Sequence, residues 1–156
     1  MWACLKGQVE VVSMMARIGD ETIKVDGRSK FGWSGFILAC RFNHLDVVNC
    51  LLELEEKRVN INASNDQGMT GFILACREGH VDIVNRLLEL EEGRVDFNTK
   101  SRFGDTGFML ACSNGHLSVV TALLDVTNID MTGGLEQAER RGHSEIVEAL
   151  RRFRTQ

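Results

Sequence analysis

The sequence lacks the short motifs that mark many enzymes and nucleotide-binding proteins. It has no glycine-rich phosphate loop, and the patterns C-x-x-C, H-E-x-x-H and G-x-S-x-G do not occur in it. No apolar run approaches the roughly 20 residues that are needed to cross a bilayer, and the N-terminus has no signal-peptide pattern. We therefore expect a non-enzymatic intracellular protein, cytoplasmic or nuclear, with no cofactor and no metal.

A strong excess of charge of either sign is also missing. With 18 basic and 22 acidic residues, the 156-residue chain has a net charge of −4. Such a balance provides no general attraction for nucleic acid or for anionic membranes. We expect neither of them to be a partner.

What the sequence does contain is a repeat. The segment GFILAC begins at Gly35 and again at Gly71, and a variant, GFMLAC, begins at Gly107, so that the copies are 36 residues apart. A histidine follows each copy at the same distance. The period reaches both ends, since Ala3-Cys4 lies 36 residues before Ala39-Cys40, and Gly142-His143 repeats Gly115-His116 after 27 residues. A fixed period of this size is typical of stacked-repeat proteins.

Each unit combines a turn with two helices. Asparagine, aspartate and glycine favour the turn, a threonine favours the start of the first helix, and a Gly-His pair ends that helix. Apolar residues at helical spacing then predict a second helix. In the best example these parts are the turn Asn65–Gly68, a helix from Thr70 to about Arg77, the break Gly79-His80, a helix from Val81, and an extended segment Val95–Asn98.

This unit resembles the ankyrin repeat, whose signature is G-x-T-P-L-H-x-A-A-x-x-G-H followed by an amphipathic helix and a V-N-x hairpin. The matching residues are Gly68, Thr70, Ala75, Gly79, His80 and Asn98, then Gly104, Thr106, Ala111, Gly115 and His116, and, in the preceding copy, Gly32, Ala39, His44 and Asn62. The resemblance implies an all-α solenoid of helix–turn–helix units joined by β-hairpin loops, with about five units and abbreviated ends. We expect a single domain with a partial N-terminal repeat (1–28), full repeats (29–64, 65–100 and 101–131) and a shortened C-terminal cap (132–156).

The chain departs from the family pattern in three ways. It has no proline, and Gly35, Gly71 and Gly107 stand where the family has one, at a cost of roughly 0.5–1 kcal/mol in backbone entropy for a glycine in a helix. Ile37, Ile73 and Met109 replace the first family histidine. The unit is also three residues longer than usual, around Leu54–Arg58 and Leu90–Arg94, which predicts a longer helix end or a loop.

The start of the chain suggests a further expectation. Met1 aligns with Ile37, so the chain begins inside a first helix. This favours either an excised piece of a longer protein or a frayed native end.

Two columns of equivalent residues invite a chemical interpretation. His44, His80, His116 and His143 recur once per unit, whereas metal ligands must converge within about 2.1 Å of one ion; the resemblance implies that they bond to backbone groups between units. Four of the five cysteines, Cys4, Cys40, Cys76 and Cys112, also recur in register. We expect them to be reduced, buried filling. Cys50 has no partner motif.

Charged stretches are interpreted as solvated surface. Glutamates near the ends of the second helices predict an acidic edge along which these helices continue, rather than a catalytic acid pair: Glu53, Glu55, Glu56, Glu89, Glu91 and Glu92. The basic C-terminal end is either a phosphate site or, as we prefer, a polar cap: Arg140, Arg141, Arg151, Arg152 and Arg154.

The resemblance implies that a partner contacts the hairpin tips and the first helices, which vary among repeats. The tip positions are Lys30, Phe31 and Trp33, then Asp66, Gln67 and Met69, then Arg102, Phe103 and Asp105; the helix positions are Arg41 and Phe42, Arg77 and Glu78, and Ser113 and Asn114. Five of these residues are large and apolar where solvent is expected, which is typical of an interaction site: Phe31, Trp33, Phe42, Met69 and Phe103. An alternative for Phe31 and Phe103 is that they pack against neighbouring hairpins.

The sequence thus predicts a monomer that binds a partner protein through the concave surface of the repeats. The alternatives are a regulatory or docking segment of a larger enzyme or channel, and an engineered scaffold without a native partner. The resemblance also raises hydroxylation of Asn62 or Asn98 by an asparaginyl hydroxylase, although hydrogen bonding within the hairpin accounts for both residues.

Overall fold

The computed structural model of the chain describes residues 1–17, 27–54 and 59–153, with side chains described only to Met14 in the first range. Within these ranges the chain forms ten helices, which occur in chain order as five pairs. Their bounds are α1 Trp2–Leu5, α2 Val9–Arg17, α3 Gly35–Arg41, α4 Leu45–Leu52, α5 Gly71–Glu78, α6 Val81–Leu88, α7 Gly107–Asn114, α8 Leu117–Leu124, α9 Gly134–Arg141 and α10 Ser144–Phe153.

The helices are grouped into two compact units, Met1–Gly71 and Phe72–Gln156. In the first unit α3 packs on α1, and α4 packs on α2. In the second unit α9 packs on α7, while α8 packs between α6 and α10. First helices therefore contact first helices, and second helices contact second helices, as expected for stacked repeats.

Side chains and glycines determine where the first helices begin and end. The Ser34 hydroxyl accepts a hydrogen bond from the Ile37 amide (3.3 Å) at the start of α3, and Thr106 does the same for Met109 (3.2 Å) at the start of α7. Gly115 ends α7 with a φ of 80°, a backbone conformation that glycine adopts without a steric penalty. The capping hydroxyls and the terminating glycine act as the repeat pattern predicts.

The second helices supply much of the buried core. Val48, Val84 and Val120, one in each of three successive second helices, are fully buried. In the inner repeats, the residue before each of these valines is equally buried, as Val119 is. The equivalent residue in α2, Val11, is 42 % exposed. Position 11 therefore belongs to the side of a second helix that faces the preceding repeat.

The glycines that replace the family proline make room for the repeat before them. A Cβ atom at Gly71 would lie 2.8 Å from the Phe36 ring and 2.9 Å from the Cys40 sulfur. At Gly107 it would lie 2.9 Å from Phe72 and 3.1 Å from the sulfur of the equivalent cysteine, and Phe108 approaches Gly134 in the same way. The sequence interpretation, which assigned these glycines only an entropic cost, missed this contact.

The connection after α6 takes one of its two predicted forms, a loop, whereas the predicted continuation of the second helices along the glutamates is wrong. Helices α4 and α6 end at Leu52 and Leu88, so they do not continue along the following glutamates. The extra residues from 90 to 94 form a loop that is closed by a hydrogen bond from the Arg94 amide to the Glu91 carbonyl (3.0 Å). The equivalent extra residues 55–58 lie outside the described ranges.

The predicted extended segment Val95–Asn98 is also wrong in part, because Phe97 and Asn98 lie in a turn. The turn places the Phe97 ring edge-on to Phe72, with 4.9 Å between the ring centroids. Burial of an aromatic ring against the second unit thus outweighs an extended backbone at this point. Among the described hairpin loops, the antiparallel pairing consists of an isolated bridge between Ser64 and Thr70.

Candidate partner-binding surface

A polar side chain at the start of each hairpin turn holds the tip in place. Its oxygen accepts hydrogen bonds from two backbone amides, two and four residues further on, and a glycine with positive φ completes the turn. The acceptors and donors are Ser29 with Phe31 and Trp33, Asn65 with Gln67 and Met69, and Ser101 with Phe103 and Asp105. These acceptors recur at intervals of 36 residues, a signal that the sequence interpretation did not use.

Two tips are joined within the first unit. The Asp66 amide donates a hydrogen bond to the Phe31 carbonyl (3.1 Å). Gly32 permits this approach, because a Cβ atom there would lie 2.9 Å from the Asp66 carboxylate. The backbone of the first-unit surface is therefore ordered before any partner binds.

Aromatic and cationic side chains gather on this ordered backbone. The Arg41 guanidinium lies 4.9 Å from the centre of the Trp33 ring and 5.3 Å from that of Phe42, and the Lys30 ammonium lies 4.9 Å from the centre of the Phe31 ring. Both distances to Arg41 fall within the range of cation–π contacts. We call these five residues, Lys30, Phe31, Trp33, Arg41 and Phe42, the aromatic–cationic cluster.

The cluster remains open to solvent. Phe31 is 56 % exposed and Phe42 is 44 % exposed, while Trp33 is half-buried. Large apolar side chains grouped on a surface mark an interaction site more often than scattered ones do. The structure therefore brings Trp33 and Phe42 together, as the sequence suggested, and it adds Arg41 as the group that both rings contact.

Met69 does not belong to this surface, although the sequence placed it there. Its side chain is only 5 % exposed. It lies beside Thr70, whose bridge to Ser64 closes the hairpin, and its amide and carbonyl are both hydrogen-bonded to Asn65. Position 69 is thus at the base of the hairpin rather than at its tip, so an apolar side chain there packs inward.

The predicted contact residues of the second unit range from half-buried to exposed. Phe103 is 74 % exposed, which is contrary to the alternative in which it packs against a neighbouring hairpin, and Arg102 is exposed beside it. Arg77 forms an ion pair with Glu78 at 2.6 Å. The Asn114 side-chain amide donates to the Arg77 carbonyl (3.0 Å), while Asp105 and Ser113 are half-buried.

For His44, His116 and His143, the histidine column is confirmed as a set of contacts between consecutive helix pairs. The Nε2 atom of His44 donates to the Leu5 carbonyl (3.0 Å), that of His116 to the Arg77 carbonyl (2.8 Å), and that of His143 to the Ser113 carbonyl (2.9 Å). Each acceptor lies at or near the end of the preceding first helix. Within the described ranges, no three histidine, cysteine or acidic side chains gather closely enough to hold a metal ion.

The cysteine column is buried, as predicted. Burial raises the pKa of the Cys112 thiol to about 12, and it raises the pKa of the Cys4 and Cys40 thiols as well. These thiols therefore stay protonated and unreactive at neutral pH. No disulfide joins any of the five cysteines, and Cys50 is half-buried.

The arginines of the C-terminal end contact neighbouring polar side chains. Arg151 pairs with Glu139 (2.7 Å), Arg152 pairs with Glu148 (2.6 Å), and Arg140 donates to the Gln137 amide oxygen (2.7 Å). Glu139 lies at the position of its repeat that a buried cysteine occupies in the preceding repeat. A charged side chain is tolerated at this position only when it is exposed to solvent. This arrangement supports the polar cap over a phosphate site; Arg154 lies outside the described ranges.

Asn98 makes structural hydrogen bonds of the kind expected for the hairpin asparagine. Its side-chain oxygen accepts from the Asp130 amide (2.8 Å), and its nitrogen donates to the Asn128 carbonyl (2.7 Å). The side chain thereby joins its own hairpin to the next one, and the structural interpretation accounts for it.

Comparisons with known proteins agree with this architecture. A family model described as Ankyrin repeats (3 copies) matches residues 1–101, and one described as Ankyrin repeat matches residues 103–133. The chain belongs to the ankyrin repeat family. No curated protein matches it. The predicted fold class, an ankyrin-repeat solenoid, is therefore confirmed.

Family membership also gives the general kind of function. Ankyrin repeats are generally protein–protein interaction modules and are typically not enzymes. Every helix in residues 1–17, 27–54 and 59–153 is too short or too polar to span a bilayer.

Proposed function

We propose that this ankyrin repeat chain binds a partner protein through the aromatic–cationic cluster of its first unit. The observation that carries the proposal is that the half-buried Arg41 guanidinium lies over the rings of both Trp33 and Phe42. Tryptophan and arginine are the residue types most enriched among interface hot spots. Asp66 and Gln67, which are exposed on the adjoining tip, lie at the edge of this contact area.

The order of this surface favours tight binding. The tip backbone is held by the Ser29 hydroxyl and by the hydrogen bond between Asp66 and Phe31. Stacking on Arg41 also restricts the Trp33 and Phe42 side chains. Because less conformational freedom remains to be lost, less of the contact energy is spent on ordering the surface when a partner binds.

The second unit also has exposed residues at the predicted contact positions. It has the exposed tip residues Arg102 and Phe103 and the exposed helix residues Glu78 and Asn114. Its arginine on the first helix, Arg77, is paired with Glu78. We assign these positions, together with Asp105 and Ser113, a secondary role in binding.

The test removes the two rings that stack on Arg41. The double variant Trp33→Ala, Phe42→Ala is expected to lose at least about 2 kcal/mol of binding free energy, as hot-spot truncations do. Partners retained on the immobilised wild-type chain are identified by quantitative mass spectrometry, and one of them is then titrated by calorimetry against each variant.

A matched control distinguishes this surface from any exposed ring. Phe153, on α10, is 42 % exposed, close to the exposed fraction of Phe42, so Phe153→Ala removes a similar ring at a distant position in the chain. The control is expected to bind like the wild type, and circular dichroism is expected to be unchanged for both variants. Equal retention of every partner by the wild type and by the double variant would contradict the proposal.

A further inference from the structure

The first helix pair exposes apolar residues at positions that later repeats cover. A first helix contacts the preceding repeat through its first residue, as Gly107 of α7 does with Phe72. Leu110 follows three residues later, so it lies on the same side of α7, and it is half-buried. The equivalent residue of α1, Trp2, is 64 % exposed. Trp2 is therefore on the side of α1 that a preceding helix pair would cover.

The second helix of this pair shows the same difference. In α8, Val119 is fully buried and Ala122, three residues later, is half-buried. The equivalent residues of α2, Val11 and Met14, are 42 % and 64 % exposed. We call Trp2, Val11 and Met14 the outer face of the first helix pair.

The outer face is large enough for a specific contact with another protein. Its three residues expose on the order of 400 Å² of surface, which is the size of an apolar patch that is often functional. Each partner contributes roughly 800 Å² to a standard interface, so the surroundings of the outer face have to supply the remainder. An area of this size predicts a dissociable contact rather than a permanent one.

The charges near the outer face do not oppose contact between two copies of it. Among residues 1–14 the charged side chains are Lys6 and Glu10, which are both exposed and have opposite signs. Two such faces do not repel each other through a shared excess of charge. An apolar face that carries no net side-chain charge is thus compatible with a copy of itself.

The last helix pair is a poor cover for the outer face. A repeat contacts the next one through the position of Cys112, whose sulfur approaches Gly134. In α9 this position holds Glu139, which pairs with Arg151 at 2.7 Å. Apolar side chains that covered this ion pair would remove both charges from water at a large cost in free energy.

We propose that a second copy of this chain covers the outer face, so that two chains form a symmetric dimer through their first helix pairs. In a two-fold contact the same surface of both chains is buried, and Trp2 provides the residue type that most often anchors such contacts. The dimer replaces the monomer expected from the sequence. It is independent of the proposed function, because it uses no residue of the aromatic–cationic cluster.

The experiment measures the mass of the full chain by analytical ultracentrifugation from about 1 µM to about 500 µM, a range that brackets a micromolar dissociation constant. The wild type is expected to change from monomer to dimer within this range and to form nothing larger, because a two-fold contact is closed. Hydrogen exchange at both ends of the range locates the contact. Amides of α1 and α2 are expected to gain protection in the dimer, whereas those of α9 and α10 are not.

Variants of the outer face test its role. Trp2→Ser, Met14→Ser is expected to weaken the dimer at least about tenfold, as truncation of an interface hot spot does. Phe153→Ser is the matched control: its ring is 42 % exposed on α10, and its loss is expected to leave the dimer unchanged. Circular dichroism of each variant shows that the helices are retained.

The inference is overturned if the wild type stays monomeric throughout, a result that would leave the outer face to a helix pair of another protein. It is also overturned if Trp2→Ser, Met14→Ser associates normally. Growth beyond a dimer that Phe153→Ser reduces would mean that the outer face meets the C-terminal end instead.

The partner-binding variant Trp33→Ala, Phe42→Ala separates this inference from the proposed function. It is expected to form the dimer like the wild type, even though it loses the partner protein. If it no longer forms the dimer, the chains associate through the aromatic–cationic cluster and the outer face is wrong. Normal dimers that bind no partner protein would contradict the proposed function and leave the dimer standing.

Discussion

Arg41 and Arg77 occupy the same position in successive repeats, yet their surroundings are opposite. Arg41 is followed by Phe42 and stacks on that ring and on Trp33. Arg77 is followed by Glu78 and forms an ion pair with it at 2.6 Å. The neighbouring residue therefore decides whether the arginine contacts an aromatic ring or a carboxylate beside it.

The buried contacts of the same two repeats are alike. The ring of Phe36 and the sulfur of Cys40 approach Gly71 in the first unit, and Phe72 and Cys76 approach Gly107 in the second at nearly the same distances. Buried residues that recur every 36 positions thus account for stacking, whereas the exposed neighbours of Arg41 and Arg77, namely Phe42 and Glu78, differ. The comparison indicates that the fold and the proposed binding surface depend on largely separate sets of positions and can be changed independently.

The largest expected effect tests this separation with two phenylalanines of the second unit. Phe72 is buried against Phe97 and Gly107, whereas Phe103 is mostly exposed at a tip. Phe72→Ala is expected to lower the free energy of unfolding by about 3–5 kcal/mol, because it leaves a cavity. Phe103→Ala is expected to change it by no more than about 0.5 kcal/mol. Urea denaturation of the two variants measures both values.

A result in which both variants were equally destabilised would remove the distinction between stacking and surface positions. A normal m-value for Phe72→Ala is the control, since it shows that the cooperative unit has kept its size.

A smaller effect is expected at the glycine that faces this ring. In Gly107→Ala the new methyl group would lie 2.9 Å from the Phe72 ring, so overpacking is expected to cost about 1–3 kcal/mol, although alanine is the better helix former. Thermal or urea unfolding provides the measurement. If Gly107→Ala stabilises the chain, as helix propensity alone predicts, the close contact with Phe72 is not real.

A double-mutant cycle with Phe72→Leu isolates this contact. The smaller leucine relieves the crowding, so the two substitutions together are expected to cost less than the sum of their separate effects. Strict additivity would indicate that Gly107→Ala acts through the backbone instead.

The success of sequence interpretation follows the same division. The start of α6 at Val81, the break at Gly79 and the burial of the cysteine column were predictable, because each depends on a pattern that recurs along the chain. The histidine contacts were predictable from the resemblance. Position-by-position repetition is strong evidence, since each copy must meet the same packing requirement.

The errors concern contacts that form only when separate elements of the fold are brought together. Met69 was placed at a tip, because its burial depends on the bridge between Ser64 and Thr70. The requirement for glycine at position 107 was missed, because it depends on the Phe72 ring, 35 positions earlier. The position of Arg41 over Trp33 requires the hairpin and the helix to be seen together. Local patterns contain none of this information.

The smallest effect is expected when the comparison between the two arginines is reversed. Glu78→Phe gives Arg77 the neighbour that Arg41 has, and it removes the exposed ion pair between them. The loss of such a pair is expected to change stability by less than about 1 kcal/mol. The released positive charge and the new ring are expected to raise the affinity of the second unit for a partner protein retained by the wild-type chain by about two- to fivefold, the value of one exposed cation–π contact.

This gain in affinity can be measured only when the first-unit surface no longer binds, so the substitution is made in the Trp33→Ala, Phe42→Ala background. Glu78→Gln is the matched control, because it removes the carboxylate without adding a ring, and it is expected to give at most part of the increase. If Glu78→Gln and Glu78→Phe raise the affinity measured by calorimetry equally, charge alone explains the difference between the repeats. If only Glu78→Phe does so, an arginine becomes a recognition residue in this chain through the aromatic side chain beside it.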